Sequence, residues 1–421
     1  MQFKPTDARD IVCALYEQVT GERGLTTTTT ASFVDVGKSL SELPTDNLDM
    51  GMTILVTKTI NAFRDYTPDT FVDIDSEEGT TFSMLMRKIS YYDDLPNYSG
   101  AWNTDKYTNF ANGYDNGSNS GNSVGTMWEQ KKRYMYEKVF GTFVTWDDAI
   151  TIYDKQWELA FSSEEEFVRF FNNLIAQKEK EIKIQKESFR RGTMLNAIAQ
   201  RYNAFPQCVV NLTKAFNDHY GTSYTSQQLR TTYRKEFLAY MVFKFKIDAL
   251  MMKEENTFFH YDAKATFDGV DKYILRNTPL DMQRLYLYSP LILDAETQVL
   301  PEVFNDNYLK LTNYKPVNYW QSPEEADKMK VKVNANVYDT ATGKGKLVEG
   351  IEIPYVVGVL MDPEAVKTTF SIDQVSTTPE ESRKHFRNTW YNLNKGAIDD
   401  VTEKFILYVM EDYTNDNEED Q

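Results

Sequence analysis

Cysteine is almost missing from this 421-residue chain, which holds only Cys13 and Cys208. They lie far apart among apolar neighbours, so two reduced, buried thiols are expected and a disulfide framework is not. Histidine is nearly as scarce. His219, His260 and His385 stand in unrelated contexts with no HExxH and no closely spaced Cys/His set, so no zinc site is expected. No uncharged apolar run approaches the roughly 20 residues that span a bilayer, and Met1 to Asp7 holds no basic segment followed by an apolar one. A soluble, non-exported chain without a membrane partner is expected. Positive charge is in deficit: 46 Lys and Arg against 63 Asp and Glu give −17, which opposes binding to phosphate backbones over the whole surface. That disfavours a dedicated nucleic-acid binder. Internal repeats are absent.

Catalytic and ligand motifs fail one by one. The pairs Asp93-Asp94, Asp147-Asp148 and Asp399-Asp400 have the residue type for acid/base chemistry, but in so acidic a chain they are expected in solvated loops. Asp73 to Gly79 begins like a calcium loop, yet its glycine comes one position late and Met84 stands where the closing glutamate belongs. Gly343-Lys344-Gly345-Lys346 lacks the spacing and the Ser/Thr of a phosphate loop. Gly117-Ser118-Asn119-Ser120-Gly121 has asparagine where a nucleophile elbow needs serine. No cofactor, metal or catalytic set is expected.

What the chain does have is material for a core. Hydrophobic residues make up 41% and aromatics 14%, including 27 Tyr and 25 Phe, so most of it should fold. The length suits two or three compact units. Asp10 to Tyr16 and Met50 to Phe63 carry helical spacing, the latter stopped before Pro68. Phe82 to Ile89 alternates, and Met127 to Phe143 is a second mixed stretch; together they predict the two arms of a hairpin whose tip is the Gly/Asn/Ser-rich segment Asn109 to Gly125. Ser163 and Glu166 have capping-box spacing, and the absence of proline from Ser163 to Phe205 predicts a helix of roughly 60 Å with Gly192 as its likeliest bend. Its apolar stripe is Phe167, Phe171, Leu174, Ile182 and Phe189. The charged middle, Lys178 to Glu187, predicts a helix that bridges units or lies on a surface.

Further on, Ser226 to Lys253 is helix-rich, Tyr286 to Pro290 ends a strand, and Asp294 to Glu296 opens a helix or turn. Lys330 to Val337 alternates, turns at Thr342 to Gly345 and pairs with Ile351 to Leu360. Phe405 to Met410 is the last strand candidate, and Asp412 to Gln421 is an acidic tail. The cluster Lys131-Lys132-Arg133 with Trp128, Tyr134 and Tyr136 interleaved fits either a nucleic acid or the acidic face of a neighbouring copy, and the protein contact is preferred.

This order of parts resembles the Hong Kong ninety-seven fold of tailed-bacteriophage major capsid proteins. Gly141 to Val144 through Ala160 to Phe167, Tyr288 to Leu293 with Val299 to Asn305, and Val356 to Val366 are similar in texture to those of small short-tailed phages. The resemblance implies an α+β fold with an N-terminal arm at 1–70, an extended β-hairpin loop at 71–150 and a spine helix with the first part of the peripheral domain at 151–224. An axial domain at 225–350 and a return to the peripheral domain with the tail at 351–421 complete it. It implies a non-enzymatic subunit that self-assembles into pentamers and hexamers of an icosahedral head. Its expected partners are further copies of itself, a scaffolding protein, the portal and other head proteins, with packaged double-stranded DNA touched only weakly. The expected place is the virion, after assembly in the host cytoplasm. Candidate inter-subunit contacts are Arg87, Lys88, Trp128, Lys131, Lys132, Arg133 and Tyr136. Two other readings stand beside it: a bacterial compartment shell protein of the same fold, and a cytosolic enzyme of unknown class, carbohydrate-active chemistry being suggested by the aromatics and carboxylates.

Overall fold

The computed structural model describes residues 70–76, 86–92, 134–140, 144–153, 164–267, 270–298, 314–325 and 327–412, with Cys13, Tyr16 and Asp35 besides. Nearly all of the expected N-terminal arm, the hairpin tip Asn109 to Gly125, the capping residue Ser163 and the tail beyond Asp412 lie outside the described residues.

With no proline to break it, α1 runs from Glu164 to Ala204, and helix continues through Gly192. It stops where Phe205 precedes Pro206. The proline ring disfavours α geometry in the residue before it, and Phe205 turns out to φ −129°, ψ 73°. The C-terminal half buries Met194, Leu195, Ala197, Ile198 and Ala199. Within the charged middle, one lysine departs from the expectation of a wet face. Lys178 is buried, with its Nζ 2.5 Å from Asp148 and 3.4 Å from the carbonyl of Ala149, so the helix meets a sheet through an ion pair. Another side is open, with Lys180, Ile184 and Ser188 exposed at four-residue spacing.

That sheet has three antiparallel strands in the order β12 (Val366–Thr377), β13 (Phe386–Asp399) and β3 (Val144–Tyr153). A second sheet of five strands has the order β4 (Val209–Asn211), β14 (Phe405–Val409), β11 (Val356–Met361), β7 (Arg284–Tyr288) and β8 (Tyr314–Val317). The outer pairs β4–β14 and β7–β8 are parallel and the inner ones antiparallel. β11 and β14 are buried along their whole length, which is why VVGVLM and FILYV are unbroken apolar runs and not alternating ones. Phe405, Leu407 and Val409 face α1 and the hairpin β9 (Val331–Asp339) and β10 (Lys344–Ile353). Ile406, Tyr408 and Met410 face a layer of helices, α2 (Leu212–Tyr220), α3 (Ser226–Thr231) and α4 (Arg234–Lys253). Two smaller ribbons complete the set: β1 (Met86–Tyr91) with β2 (Met135–Phe140), and β5 (Ala265–Phe267) with β6 (Val270–Lys272).

The α+β class and the expected hairpin and long helix are present. The helix-rich stretch from Ser226 splits at Thr232-Tyr233 into α3 and α4, and α5 (Ser289–Gln298) starts five residues before Asp294. The partner of β9 is Lys344–Ile353, because Pro354 separates it from β11, so the expected pairing with Ile351 to Leu360 is corrected. Nor does the chain divide by number at 225 and 350. β4 and α2 already belong with the five-stranded sheet, and β11 and β14 return to its centre, while only β12 and β13 join β3.

Candidate functional site at the root of the hairpin

In β1 and β2 the side chains alternate between two faces, as the period of two requires. Arg87, Ile89, Tyr91, Met135, Glu137 and Val139 point outward, while Lys88, Ser90, Tyr136 and Lys138 point to the body. The inward face meets the turn Asp399 to Lys404, which joins β13 to β14. Lys88 Nζ lies 2.8 Å from Asp400 and 2.6 Å from Glu403, and Lys138 Nζ lies 3.5 Å from Asp400. Arg276 reaches Glu403 at 3.0 Å and donates to Ser90 Oγ at 2.6 Å and to the carbonyl of Thr402 at 3.2 Å. Tyr136 and Tyr338 place their hydroxyls 3.4 Å apart, with Lys138 Nζ 4.5 Å above the Tyr338 ring. Two further aromatic contacts seat the strand ends, Tyr134 stacking on Phe267 at 3.9 Å and Tyr92 edge-on at 5.3 Å.

The same turn is tied to everything around it. Asp400 Oδ1 accepts from the backbone and hydroxyl of Thr402, a local fold that short acidic residues favour in turns. Asp399 receives Arg201, Gln200 Nε2 at 2.7 Å and Asn196 Nδ2 at 3.0 Å, all from α1. Gln200 in turn accepts from the backbone of Tyr338. Lys404, fully buried, donates to the carbonyls of Met252 and Glu254 and to Asn256 Oδ1, closing the C-terminal end of α4. One six-residue turn therefore links the hairpin, the long helix, the β9–β10 ribbon and the helical layer.

Burial works against every charge here. It would raise the Asp400 carboxyl, but Lys88 and Lys138 more than offset it and hold the group well below the usual carboxylate range. For Glu403 burial prevails over Lys88 and Arg276, and its carboxyl is raised. The Lys138 ammonium is pushed down by burial despite Asp400, and Lys404 is pushed down to about 8 for the same reason. Such clusters hold geometry more than they add net stability, since desolvation of each ion opposes the attraction. A groove of about 1130 Å3 runs beside the root, between β2, α1 and the β9–β10 turn. Of its two carboxylates, Asp399 is already satisfied by three partners and Glu137 is paired with Arg87. Among the described residues, no group of three His, Cys, Asp or Glu could hold a metal.

No family model and no curated protein matches the chain. Solved structures do. The chain is similar to one in the capsid structure of Staphylococcus phage Andhra, at 11% identity over 81% of this chain and 84% of that one, TM-score 0.49. It is likewise similar to one in the structure of head fiber and inner core protein gp22 of native bacteriophage P68, at 12% identity over 81% and 83%, TM-score 0.48. A third likeness is to the capsid structure of the Cyanophage P-SCSP1u, at 13% identity over 83% and 92%, TM-score 0.39.

Of the expected contact residues, Trp128, Lys131, Lys132 and Arg133 lie outside the described residues. Arg87 is exposed and forms a two-pronged pair with Glu137 across the hairpin. Lys88 and Tyr136 face inward and serve the chain's own fold. Of the pairs expected in solvated loops, Asp147 and Asp148 lie in β3, with Asp147 exposed and Asp148 holding Lys178, while Asp399 ends β13 and Asp400 stands in the turn but fully buried. Sequence reasoning missed Arg276 and Glu403, and noted Asp400 only as a solvated acid. The available signal was two lysines, at 88 and 138, on the inward phase of alternating strands, which demands buried carboxylates somewhere else.

Proposed function

We propose that the chain is a major capsid protein that self-assembles into the pentamers and hexamers of an icosahedral head enclosing a phage genome. One observation carries it. The hairpin is latched to its own body by a polar, ionic inner face, while its outer face leaves Ile89, Tyr91, Met135 and Val139 about half exposed. A two-stranded ribbon is marginal by itself, and four large apolar side chains on its free face have area to bury only against another surface. A shell of repeated subunits supplies that surface at every position, and a projecting arm enlarges each contact beyond what a compact body offers. The order of hairpin, long helix and two sheets along the chain supports the same reading. A negatively charged wall needs no tight grip on packaged DNA, so that contact is weak and non-specific. The nearest partners are other copies, with a scaffolding protein, portal and other head proteins completing a virion assembled in the host cytoplasm.

Sedimentation and electron microscopy of the purified chain, with and without a co-expressed scaffold, test this. Capsomers, shells or tubes are expected, and their loss on Ile89→Asp with Val139→Asp. A wild-type chain that stays monomeric under all these conditions overturns the proposal.

A further inference from the structure

α4 carries apolar residues on its inward and its outward side, interrupted by the partly exposed Lys244 and Lys246. Phe237, Leu238, Met241, Phe245 and Met252 are buried against the five-stranded sheet, yet Phe243, Ile247, Leu250 and Met251 continue an apolar stripe on the solvent side at 47, 38, 55 and 38% exposure. A helix whose inner face is already buried and whose solvent side still carries an apolar stripe has area to bury against another surface. Tyr220 of α2, 53% exposed, extends the stripe, joined to Phe243 through the ring of His219 at 4.7 and 5.8 Å. Together the five side chains present on the order of 450 Å2 of apolar surface, about the apolar share of the ~800 Å2 that one partner brings to a standard interface.

Charge says what covers it. Two copies of a −17 chain repel over most of their surfaces. Between Ala239 and Met251 the only carboxylate is Asp248, which is buried and held by Lys244 at 2.6 Å and Tyr408 at 3.1 Å. The middle of the stripe thus offers Lys244 and Lys246 and no exposed acid, while exposed Asp218, Glu254 and Glu255 lie at its ends. A second copy laid antiparallel therefore sets the acids of one against the lysines of the other, where like-charge contact is otherwise a strong deterrent to association. We infer that the Tyr220–Phe243–Ile247–Leu250–Met251 face of α4 is a second contact with another copy of this chain, independent of the hairpin face. This rests on the proposed shell function and assigns the helical layer, as well as the hairpin, a part in it.

The test is sedimentation velocity and negative-stain microscopy of the wild-type chain and of Ile247→Asp with Leu250→Asp, checked for folding by circular dichroism and urea midpoint. A photo-reactive residue in place of Leu250 is a second, non-disruptive probe. Expected are an unchanged urea midpoint, association weakened at least roughly tenfold, and a crosslinked band at twice the monomer mass. Assembly of the double variant at wild-type strength overturns the inference and leaves the shell proposal standing. So does a crosslink made only within one chain, for example to the apolar stretch Met50 to Phe63. A monomeric wild type overturns both.

Discussion

Lys88 and Asp400, far apart in sequence, meet at 2.8 Å where the β1–β2 ribbon is held to the body of the chain. Arg87, its neighbour on the strand, points the other way into solvent. Removing one partner of a buried ion cluster leaves an uncompensated charge and costs about 3–5 kcal/mol, while an exposed pair is worth about 0–1 kcal/mol. Lys88→Met should lower the urea midpoint strongly and open the hairpin to limited proteolysis. Arg87→Ala should do neither. Equal effects for both would remove the distinction between the two faces.

A pH prediction follows from His260, fully buried with its ring nitrogens 3.0 and 3.2 Å from the carbonyls of Tyr261 and Asn256. Burial lowers its pKa, with Arg276 and Lys404 acting in the same direction. Above about pH 6.5 the ring is neutral in both folded and unfolded chains; below that the unfolded chain binds the proton first, so stability falls with pH until the folded ring also titrates. Glu403, with its raised carboxyl, acts in the opposite sense, gaining its proton in the folded chain first. Comparing wild type with His260→Gln cancels that term. Urea midpoints at pH 8, 6.5 and 5.5 should fall less steeply in the variant, and parallel curves would discount the histidine.

Gly358 sits where β11 shifts register against β14 and passes close to β7. A Cβ there would press on Leu287 Cδ2 and lie 2.7 Å from the Tyr286 carbonyl oxygen. The side chain can give way, but the backbone oxygen cannot without moving the strand. Gly358→Ala should destabilise by about 1–3 kcal/mol, by analogy with other overpacked cores. Gly192→Ala is the contrast. Nothing lies within 4 Å of its Cβ, and the substitution should stabilise α1 by roughly 0.5–1 kcal/mol. Thermal melts of the two variants should move in opposite directions.

Cys208 is buried, and burial pushes its thiol up to about 12 despite Arg201. The native chain should resist alkylation at that position at pH 8, and urea should expose it. Peptide mapping after iodoacetamide decides the matter; fast native labelling would mean the site opens locally.

Local pattern explains what could be read from the chain. α1 was legible because nothing forbade helix between Ser163 and Phe205, and the hairpin was legible because its strands alternate. The buried pairing of Lys178 with Asp148 was not, since a lysine inside a charged stretch looks solvated until a sheet is laid against it. The hairpin root was hidden more deeply. Lys88, Lys138, Arg276, Asp400 and Glu403 come from four separate regions, and no window of sequence contains two oppositely charged members of the five. Contacts between chain-distant side chains have no local signature, whatever their energy. Likewise the open stripe of α4 was part of a helix-rich run whose outward side only the packing of the inward side defines.

The position of β14 sets a timetable. It lies between β4 and β11, pairing Leu407 with Val209 and Ile406 with Leu360, so a central strand of the sheet emerges from synthesis after both of its neighbours. Until it arrives, those neighbours wait with unmatched edges, the slow, non-local closure that topology imposes on such sheets. Asp400 and Glu403 stand at the entrance to that same strand, so a nascent chain has no seat for its hairpin before its core can close. The hairpin face proposed for contact between copies is thus set in place only once the last strand has been made.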